Sequence, residues 1–368
     1  MIRQFRFAII PADLLPRSIV CANIPIRKAL GETLEIVFVH FGPRIPEYLQ
    51  LNLQRTCDLL PDQSIALLTD RTQNISVKNG NFRIQVISFD DEYALVNKSL
   101  NHPADFRDNF WFSSLARLIA IADYVIRTEQ SVLHIESDVL ISPDFPVAKF
   151  RAVDRPLAYT MVGKHSGVAS VLFLGSADSA NFFKEYIISK VLDNPGTTDM
   201  KILGLLKSQH PDLVRILASF PVKETTAYSP IDPSIRDDFE YSEYLFSGFF
   251  DSADIGQYLL GDDPRNHRGV KYLRRELSTS YLKAGLLDYT FSSERQFISL
   301  ASGSTRKIYS LHVHSKNPKV FSERFSNRVM MKSLLEQNLP EKHILILSIF
   351  LKAIKISIWR RLKKILRT

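Results

Sequence analysis

The stretch VLHIESDVLISPDF, residues 132 to 145, constrains the fold more than any other part of the chain. It opens on a short apolar strand, Val132 to Ile135, continues with Glu136 and Asp138, and enters a second apolar run, Val139 to Ile141. In an extended chain residues i and i+2 share a face, so the two carboxylates should meet at one point. Such a pair repels unless a cation lies between the carboxylates, and hard oxygen ligands suit Mg²⁺ or Mn²⁺. The alternative is a solvated pair of acids in a turn.

Three apolar runs precede the acid pair: Leu34 to Phe41, Ser64 to Thr69 and Phe82 to Phe89. Continuous apolar runs bounded by turn residues are typical of parallel strands covered on both faces. An amphipathic segment, Pro46 to Leu60, separates the first two runs. This order predicts a doubly wound α/β sheet, in which ligands bind beyond the C-terminal ends of the strands.

The ends of the first two strands therefore supply further candidates for ligand binding. The carboxyl ends of parallel strands meet at one edge of a sheet, so the residues that follow them should share a site. The residues concerned are His40, Phe41, Gly42, Thr69, Asp70 and Arg71.

A long helix is predicted immediately before the acid pair, over NFWFSSLARLIAIADYVIR. Apolar residues recur there at steps of three and four, which indicates a stripe facing the core. Arg117 lies off this stripe. It is either a solvated arginine on the helix surface or part of the ligand site.

The chain after the acid pair alternates between predicted strands and helices. Strands are expected over Pro156 to Met161 and Ala169 to Gly175. A helix follows with Ser176 or Asp178 as its cap, and another starts in TTDMKILGLLKSQ with Thr198 or Asp199 at its N-terminus. Residues 220 to 247 are rich in proline, serine and acidic residues, and we expect a long functional loop there.

The strand IYSLHVHSKNPKVF, Ile308 to Phe321, carries His312 and His314 on one face and continues into a turn with Lys316 and Lys319. An imidazole beside two carboxylates suits a Mn²⁺-type ion, and ammonium groups suit a diphosphate. The alternative is a pair of hydrogen-bonded surface histidines.

Composition limits the number of domains and the class of protein. The 368 residues, 45% hydrophobic and 23% charged, fit one large or two medium globular domains. Two cysteines, Cys21 and Cys57, give no disulfide framework and indicate a reducing compartment. The N-terminus lacks the pattern of a cleaved signal peptide, and the sequence has no uninterrupted apolar run of the length that spans a membrane.

The net charge of +8 belongs to the C-terminal tail, because residues 342 to 368 hold eight basic residues and no acid. The rest of the chain is close to neutral, which disfavours nucleic acid as a partner. Residues 344 to 368 predict an amphipathic helix with one apolar stripe, a basic remainder and Trp359. We expect this helix to lie on an anionic membrane surface. The alternative is a helix packed on the body of the protein or on a dimer partner.

Taken together, these motifs resemble those of the GT-A glycosyltransferases of the bacterial cell-surface polysaccharide type. Four features match in order: the strand ending in FVHFG, the acid pair Glu136-Ser137-Asp138 as a D-x-D motif, the segment FDSADIGQY, and the turn HVHSKNPK. The first acid is glutamate where the family has aspartate, and Asn317 stands where the family's turn usually has glycine. The resemblance covers residues 34 to 322 and implies a GT-A, Rossmann-like domain with a mixed sheet.

The resemblance also implies roles for these residues. Mn²⁺ or Mg²⁺ would bind Glu136, Asp138 and one late histidine, of which we favour His314 over His312. The donor would contact His40, Phe41, Gly42, Asp70, Arg71, Arg117, Glu136, Lys316 and Lys319. The sugar pocket and the catalytic residues would include Asp199, Asp251, Asp254 and Gln257.

We therefore expect a hexosyltransferase, retaining in its chemistry, that moves a sugar from a nucleotide-sugar donor to a saccharide or lipid-linked acceptor. It would lie in the cytoplasm, peripheral on the inner face of the cell membrane. The expected division is a lead-in over 1–33, the transferase domain over 34–322 and the basic tail over 323–368. The alternatives are a sugar nucleotidyltransferase, whose glycine-rich loop is not found after the first strand, and a non-catalytic carbohydrate-binding or scaffold protein at a membrane.

Overall fold

A computed structural model describes residues 34–78, 80–103, 109–221, 233–260, 281–282, 289–292, 297–300 and 306–322. The expected lead-in over residues 1–33 and the tail over 323–368, with its amphipathic helix, lie outside these ranges. None of the helices within them is long and apolar enough to cross a membrane.

Strands and helices are interspersed along the described chain. The strands are β1 (Leu34–His40), β2 (Ile65–Thr69), β3 (Phe82–Val86), β4 (Ser131–Ile135), β5 (Val139–Ile141), β6 (Leu157–Gly163), β7 (Ser166–Leu174), β8 (Val214–Leu217), β9 (Gly248–Phe250), β10 (Tyr289–Ser292), β11 (Phe297–Leu300) and β12 (Arg306–His312). The helices are α1 (Glu47–Leu59), α2 (Asp91–Ser99), α3 (Phe110–Thr128), α4 (Ala177–Asp193), α5 (Asp199–Gln209), α6 (Pro233–Phe246), α7 (Asp254–Leu260) and α8 (Pro318–Phe321), with a 3-10 helix over Val147–Ala152.

The main sheet has seven strands in the order β3-β2-β1-β4-β7-β6-β8. The first four are parallel, and β7 runs antiparallel to both of its neighbours. A second sheet has the order β10-β11-β12-β5, with β9 beside β12. The mixed α/β architecture predicted from the sequence is therefore confirmed.

Both faces of the main sheet are covered, as the continuous apolar runs predict. Along β1 the side chains alternate: Val37 and Val39 join the core under α2 to α5, whereas Ile36 and Phe38 join the core under α1 and the 3-10 helix. Helices α4 and α5 each begin with a side-chain cap. Ser176 caps α4 by accepting from the N–H of Ser179, and Thr198 caps α5.

The expectation of a loop over residues 220 to 247 is wrong for Pro233–Phe246, which form α6, whereas residues 222–232 lie outside the described ranges. Its apolar residues Ile235, Phe239 and Phe246 are buried at helical spacing although polar residues surround them. One acid, Asp238, also points inward and pairs with Lys207 at 2.5 Å. The acidic composition therefore concealed a helix with a buried face.

Candidate metal centre

The acid pair lies where β4 ends and β5 begins, at the C-terminal end of the parallel strands. Glu136 and Asp138 are 7% and 6% exposed. The N–H of Glu136 donates to the carbonyl of Ser170 on β7 at 3.0 Å, and the N–H of Val139 donates to the carbonyl of Glu136 at 3.0 Å. The turn therefore holds both carboxylates in a buried position at the edge where ligands bind in such sheets.

His312 reaches the acid pair because β12 pairs with β5, which places His312 opposite Val139. Its Nε2 lies 3.3 Å from Glu136 Oε2 and 3.4 Å from Asp138 Oδ1. One ligand atom from each of the three residues lies within 4.8 Å of the others. Two ligands at right angles on an octahedral ion, each about 2.1 Å from it, lie about 3 Å apart. The spacing therefore fits one divalent cation.

Several buried polar atoms here have no hydrogen-bond partner among the described residues. They include Glu136 Oε2, His312 Nδ1 and His314 Nε2. Buried polar atoms are nearly always hydrogen-bonded, so such a group indicates a binding capacity that the protein itself does not use. Two carboxylates and an imidazole are suitable ligands for Mn²⁺ or Mg²⁺.

The structure brings His312, and not His314, into this group of three. The two imidazoles stack with their centroids 4.1 Å apart and their planes 14° apart, so the predicted shared face is present. Burial, reinforced by the neighbouring His312, lowers the pKa of His314 to about 3. His314 is therefore a neutral ring that packs against His312.

Two cations lie beside the acids. Arg117 on α3 contacts Glu136 and lies 3.4 Å from Asp199 Oδ2, while Lys316 Nζ lies 2.8 Å from Asp138 Oδ2. Burial alone would raise the pKa of Asp138, but Lys316 and His312 outweigh it and hold that pKa well below its usual range. The Asp138 carboxylate is therefore held in its charged form. Arg117 is part of the site and not a solvated surface residue.

Asp199 stands at the start of α5 and joins the centre through Arg117. Burial raises the pKa of its carboxyl, and Arg117 offsets this only in part. Lys319 lies in α8, where its N–H donates to the side chain of Asn317 at 3.1 Å. Its own side chain is exposed.

The candidates at the ends of β1 and β2 also meet. The N–H of Gly42 donates to Asp70 Oδ1 at 3.1 Å, and Arg71 pairs with the other oxygen of Asp70 at 2.6 Å. Gly42 has φ of +134°, a conformation that glycine adopts without strain. The Phe41 ring meets Phe89 edge-on, with centroids 4.9 Å apart. Since β1 and β4 are neighbours, this loop lies beside the acid turn.

His40, the last residue of β1, contacts the loop that follows it. Its Nε2 lies 2.9 Å from the carbonyl of Arg44, and burial lowers the pKa of the imidazole.

The candidates on and before α7 differ from one another in their surroundings. Asp251 accepts four main-chain N–H groups with its two carboxylate oxygens. Asp254 is buried and its Oδ2 accepts from the Ser252 hydroxyl at 3.3 Å. Gln257 is buried, and its Oε1 has no hydrogen-bond partner among the described residues. Sequence patterns alone did not separate these three environments.

Sequence reasoning missed Asn52 on α1. Its Nδ2 donates to the carbonyls of Ser137 at 3.1 Å and Val139 at 2.9 Å, one on either side of Asp138. The available signal was an amide within the helix face that carries Leu49 and Leu53. A fully buried polar residue among leucines indicates a specific partner.

No protein-family model matches the chain, and no curated protein matches it. Among solved structures, the galactosyltransferase LgtC in complex with donor and acceptor sugar analogues is similar over 55% of this chain and 82% of its own, at 18% identity and a TM-score of 0.37. Mouse xyloside xylosyltransferase 1 is similar over 50% and 85%, at 9% identity and a TM-score of 0.35. The bifunctional WbbM is similar over 58% and 44%, at 11% identity and a TM-score of 0.33.

Proposed function

We propose that this chain is a metal-dependent glycosyltransferase of the GT-A type, which moves a sugar from a nucleotide-sugar donor to a saccharide or lipid-linked acceptor. The observation that carries the proposal is the meeting of Glu136, Asp138 and His312 within 4.8 Å at the C-terminal end of the main sheet. A centre of this composition suits an ion that also binds a diphosphate. The ordered motifs that resemble those of GT-A enzymes support the same conclusion.

In this proposal the three residues hold Mn²⁺ or Mg²⁺. When bound, the ion would neutralise charge on the diphosphate that leaves the sugar. Lys316 would turn from Asp138 to a diphosphate oxygen and stabilise the same charge. Its ammonium has only a short distance to move, because it already lies 2.8 Å from a residue of the metal centre.

The remaining candidates divide between the two ends of the donor. The loop of Phe41, Gly42 and Asp70, with His40 and Arg71 beside it, would hold the nucleoside. Arg117, which lies between Glu136 and Asp199, would orient the sugar by donating to its hydroxyls. Asp199, Asp254 and Gln257 would line the sugar pocket as acceptors and donors of hydrogen bonds.

We further propose that the transfer retains the anomeric configuration, because the turn of His312 to Lys319 resembles that of retaining members. The departing phosphate oxygen would then take the proton of the attacking hydroxyl, and no carboxylate base would be needed. Proton NMR of the freshly formed product tests this directly. A product anomer opposite to that of the donor excludes retention.

A role in surface polysaccharide synthesis, at the inner face of the cell membrane, is part of the same proposal. It is supported by the basic, amphipathic pattern of residues 344 to 368. Such a segment would hold the enzyme near a lipid-linked acceptor.

The deciding experiment is an assay of the purified chain with a panel of nucleotide sugars, with Mn²⁺, Mg²⁺ or a chelator. Metal-dependent release of a nucleoside diphosphate supports the proposal. Formation of a nucleotide sugar from a nucleoside triphosphate and a sugar phosphate would instead identify a nucleotidyltransferase. Binding of saccharides with no turnover of any donor would identify a carbohydrate-binding protein.

A further inference from the structure

Both oxygens of the Asp251 carboxylate accept hydrogen bonds from the main chain around it. Its Oδ1 accepts from the N–H of Ala253 at 2.9 Å and of Ile255 at 3.0 Å. Its Oδ2 accepts from the N–H of Gly256 at 2.7 Å and of His312 at 2.9 Å. Four donors on two buried oxygens leave little capacity for a sugar hydroxyl or a transferred proton.

One of these four donors belongs to the histidine of the metal centre, so the bond fixes the end of β12 where the His312 ring turns toward the acids. The carbonyl of His312 is confined as well, since a Cβ atom built on Gly256 would lie 2.1 Å from it. The next residue, Val313, donates to the carbonyl of Asp138 at 2.7 Å. The main chain around the imidazole is therefore held from both sides.

The segment that carries Asp251 is itself tied to both sheets. The hydroxyl of Ser170 on β7 donates to the carbonyl of Asp251 at 3.0 Å, and the same Ser170 carbonyl accepts from Glu136. Ala253 has φ of 135°, a conformation that L-residues rarely adopt. Such strain persists where the surroundings dictate the geometry, and here the Asp251 carboxylate holds the Ala253 N–H.

Asn52 holds the opposite side of the centre. It is fully buried, and its amide donates to the carbonyls of Ser137 and Val139. These carbonyls flank Asp138, so the amide fixes the turn on which that carboxylate stands.

We propose that Asp251 and Asn52 are positioning residues, which set the distance between His312 and the two carboxylates without binding the ion themselves. This inference rests on the proposed function, because it requires that the three residues bind a divalent cation. Groups that orient metal ligands in this way typically contribute about 10–100-fold in affinity. For Asp251 the role differs from the catalytic one expected from the sequence.

Asp251→Asn tests the inference, because the amide nitrogen keeps the shape of the side chain and cannot accept from an N–H group. The dissociation constant for Mn²⁺ is measured on the full chain without donor, by titration calorimetry and by electron paramagnetic resonance of Mn²⁺. We expect it to rise about 10–100-fold in the folded variant. Asn52→Ser removes the amide that donates to the carbonyls of Ser137 and Val139, and it should also raise the dissociation constant for Mn²⁺. It therefore tests the positioning role if Asp251→Asn does not fold.

Asp238→Asn is the matched control. It alters an acid of similar burial that pairs with Lys207 and Arg215, next to the edge strand β8 and away from the centre. It should lower the unfolding midpoint and leave the Mn²⁺ dissociation constant at the wild-type value. Folded Asp251→Asn and Asn52→Ser proteins that bind Mn²⁺ like the wild type would overturn the positioning role. A wild-type chain that binds no Mn²⁺ would overturn the proposed function, and the first titration reveals this separately.

Discussion

In the proposed metal centre, Lys316 and a divalent cation would compete for the carboxylate of Asp138. The ammonium lies 2.8 Å from Asp138 Oδ2, and the residue has φ of 51°, which is unusual outside glycine. An ion bound at Asp138 would displace the ammonium and release it for the diphosphate. Metal and donor should therefore bind cooperatively, because each removes an obstacle to the other.

Lys316→Met should strengthen Mn²⁺ binding in the absence of donor and weaken nucleoside diphosphate binding in its presence. A pair of this exposure is worth about 1 kcal/mol, so we expect a change of about fivefold in each direction. Titration calorimetry measures both affinities. Lys307→Met is the control, since Lys307 pairs with Asp144 near the other end of β12 and should change neither. Weaker Mn²⁺ binding by Lys316→Met would show that no competition exists.

Asp138→Asn should abolish metal-dependent donor binding, since it removes one of the three ligands. The loss should be at least as large as the ~100-fold upper value for groups that only orient ligands. The thermal unfolding midpoint should stay close to that of the wild type, because Lys316 is partly exposed and can return to solvent. Calorimetry with a nucleotide sugar and Mn²⁺ provides the measurement, and unaltered affinity would refute the metal site.

The sequence allowed the acid pair to be predicted because alternation along a strand decides which side chains share a face. It did not decide between His312 and His314, which satisfy the same alternation. The choice depends on the pairing of β12 with β5, a contact between distant parts of the chain. Asn52 was missed for the same reason, since its partners are carbonyls that a sequence pattern does not reveal.

At the scale of elements, α6 is attached to the sheet by a buried group of charges. Asp238 pairs with Lys207 of α5 at 2.5 Å and with Arg215 of β8 at 2.6 Å. Arg215 also lies 2.5 Å from Asp154. This group joins two helices to the edge strand of the main sheet, so it stabilises the fold without taking part in the site.

Asp238→Ala should lower the free energy of unfolding by about 3–5 kcal/mol, because it leaves buried cations without their counter-charge. Urea denaturation followed by circular dichroism measures the loss. Asp237→Ala alters the exposed neighbour on the same helix and should stay within about 0.5 kcal/mol of the wild type. Equal stability of the two variants would show that the pair contributes nothing.

Strands and most helices followed from periodicity, since β1, β2, β4 and α3 carry apolar patterns that need no tertiary information. The helix α6 did not, because its buried face includes Asp238 and Ser242 as well as apolar residues. Their burial is stabilised by partners elsewhere, so a polar composition was mistaken for a loop. The pairing of β12 with β5 in the second sheet was likewise not predicted, because the two strands come from distant segments of the chain.

At the scale of the whole molecule, the net positive charge of the chain comes from the tail, residues 342 to 368. Deletion of residues 341 to 368 should leave hydrolysis of the donor intact and release the protein from anionic vesicles. Each basic residue near such a surface contributes about 1 kcal/mol, so the loss should be complete in a sedimentation assay. Neutral vesicles are the control. A truncated protein that still sediments with anionic vesicles would show that another surface is the anchor.

The pairing of β5 with β12 also affects the order in which the protein folds during synthesis. Residues 139–141 leave the ribosome long before residues 306–312, so the main sheet can form while Val139, Leu140 and Ile141 still lack the strand that covers their edge. An unpaired apolar edge is a surface for association with other chains. During synthesis the incomplete chain therefore exposes the unpaired edge of β5, which is prone to aggregation. When β12 pairs with β5, it covers that edge and places His312 beside the two carboxylates. The three residues of the candidate metal centre therefore come together at the step that ends the exposure of this edge.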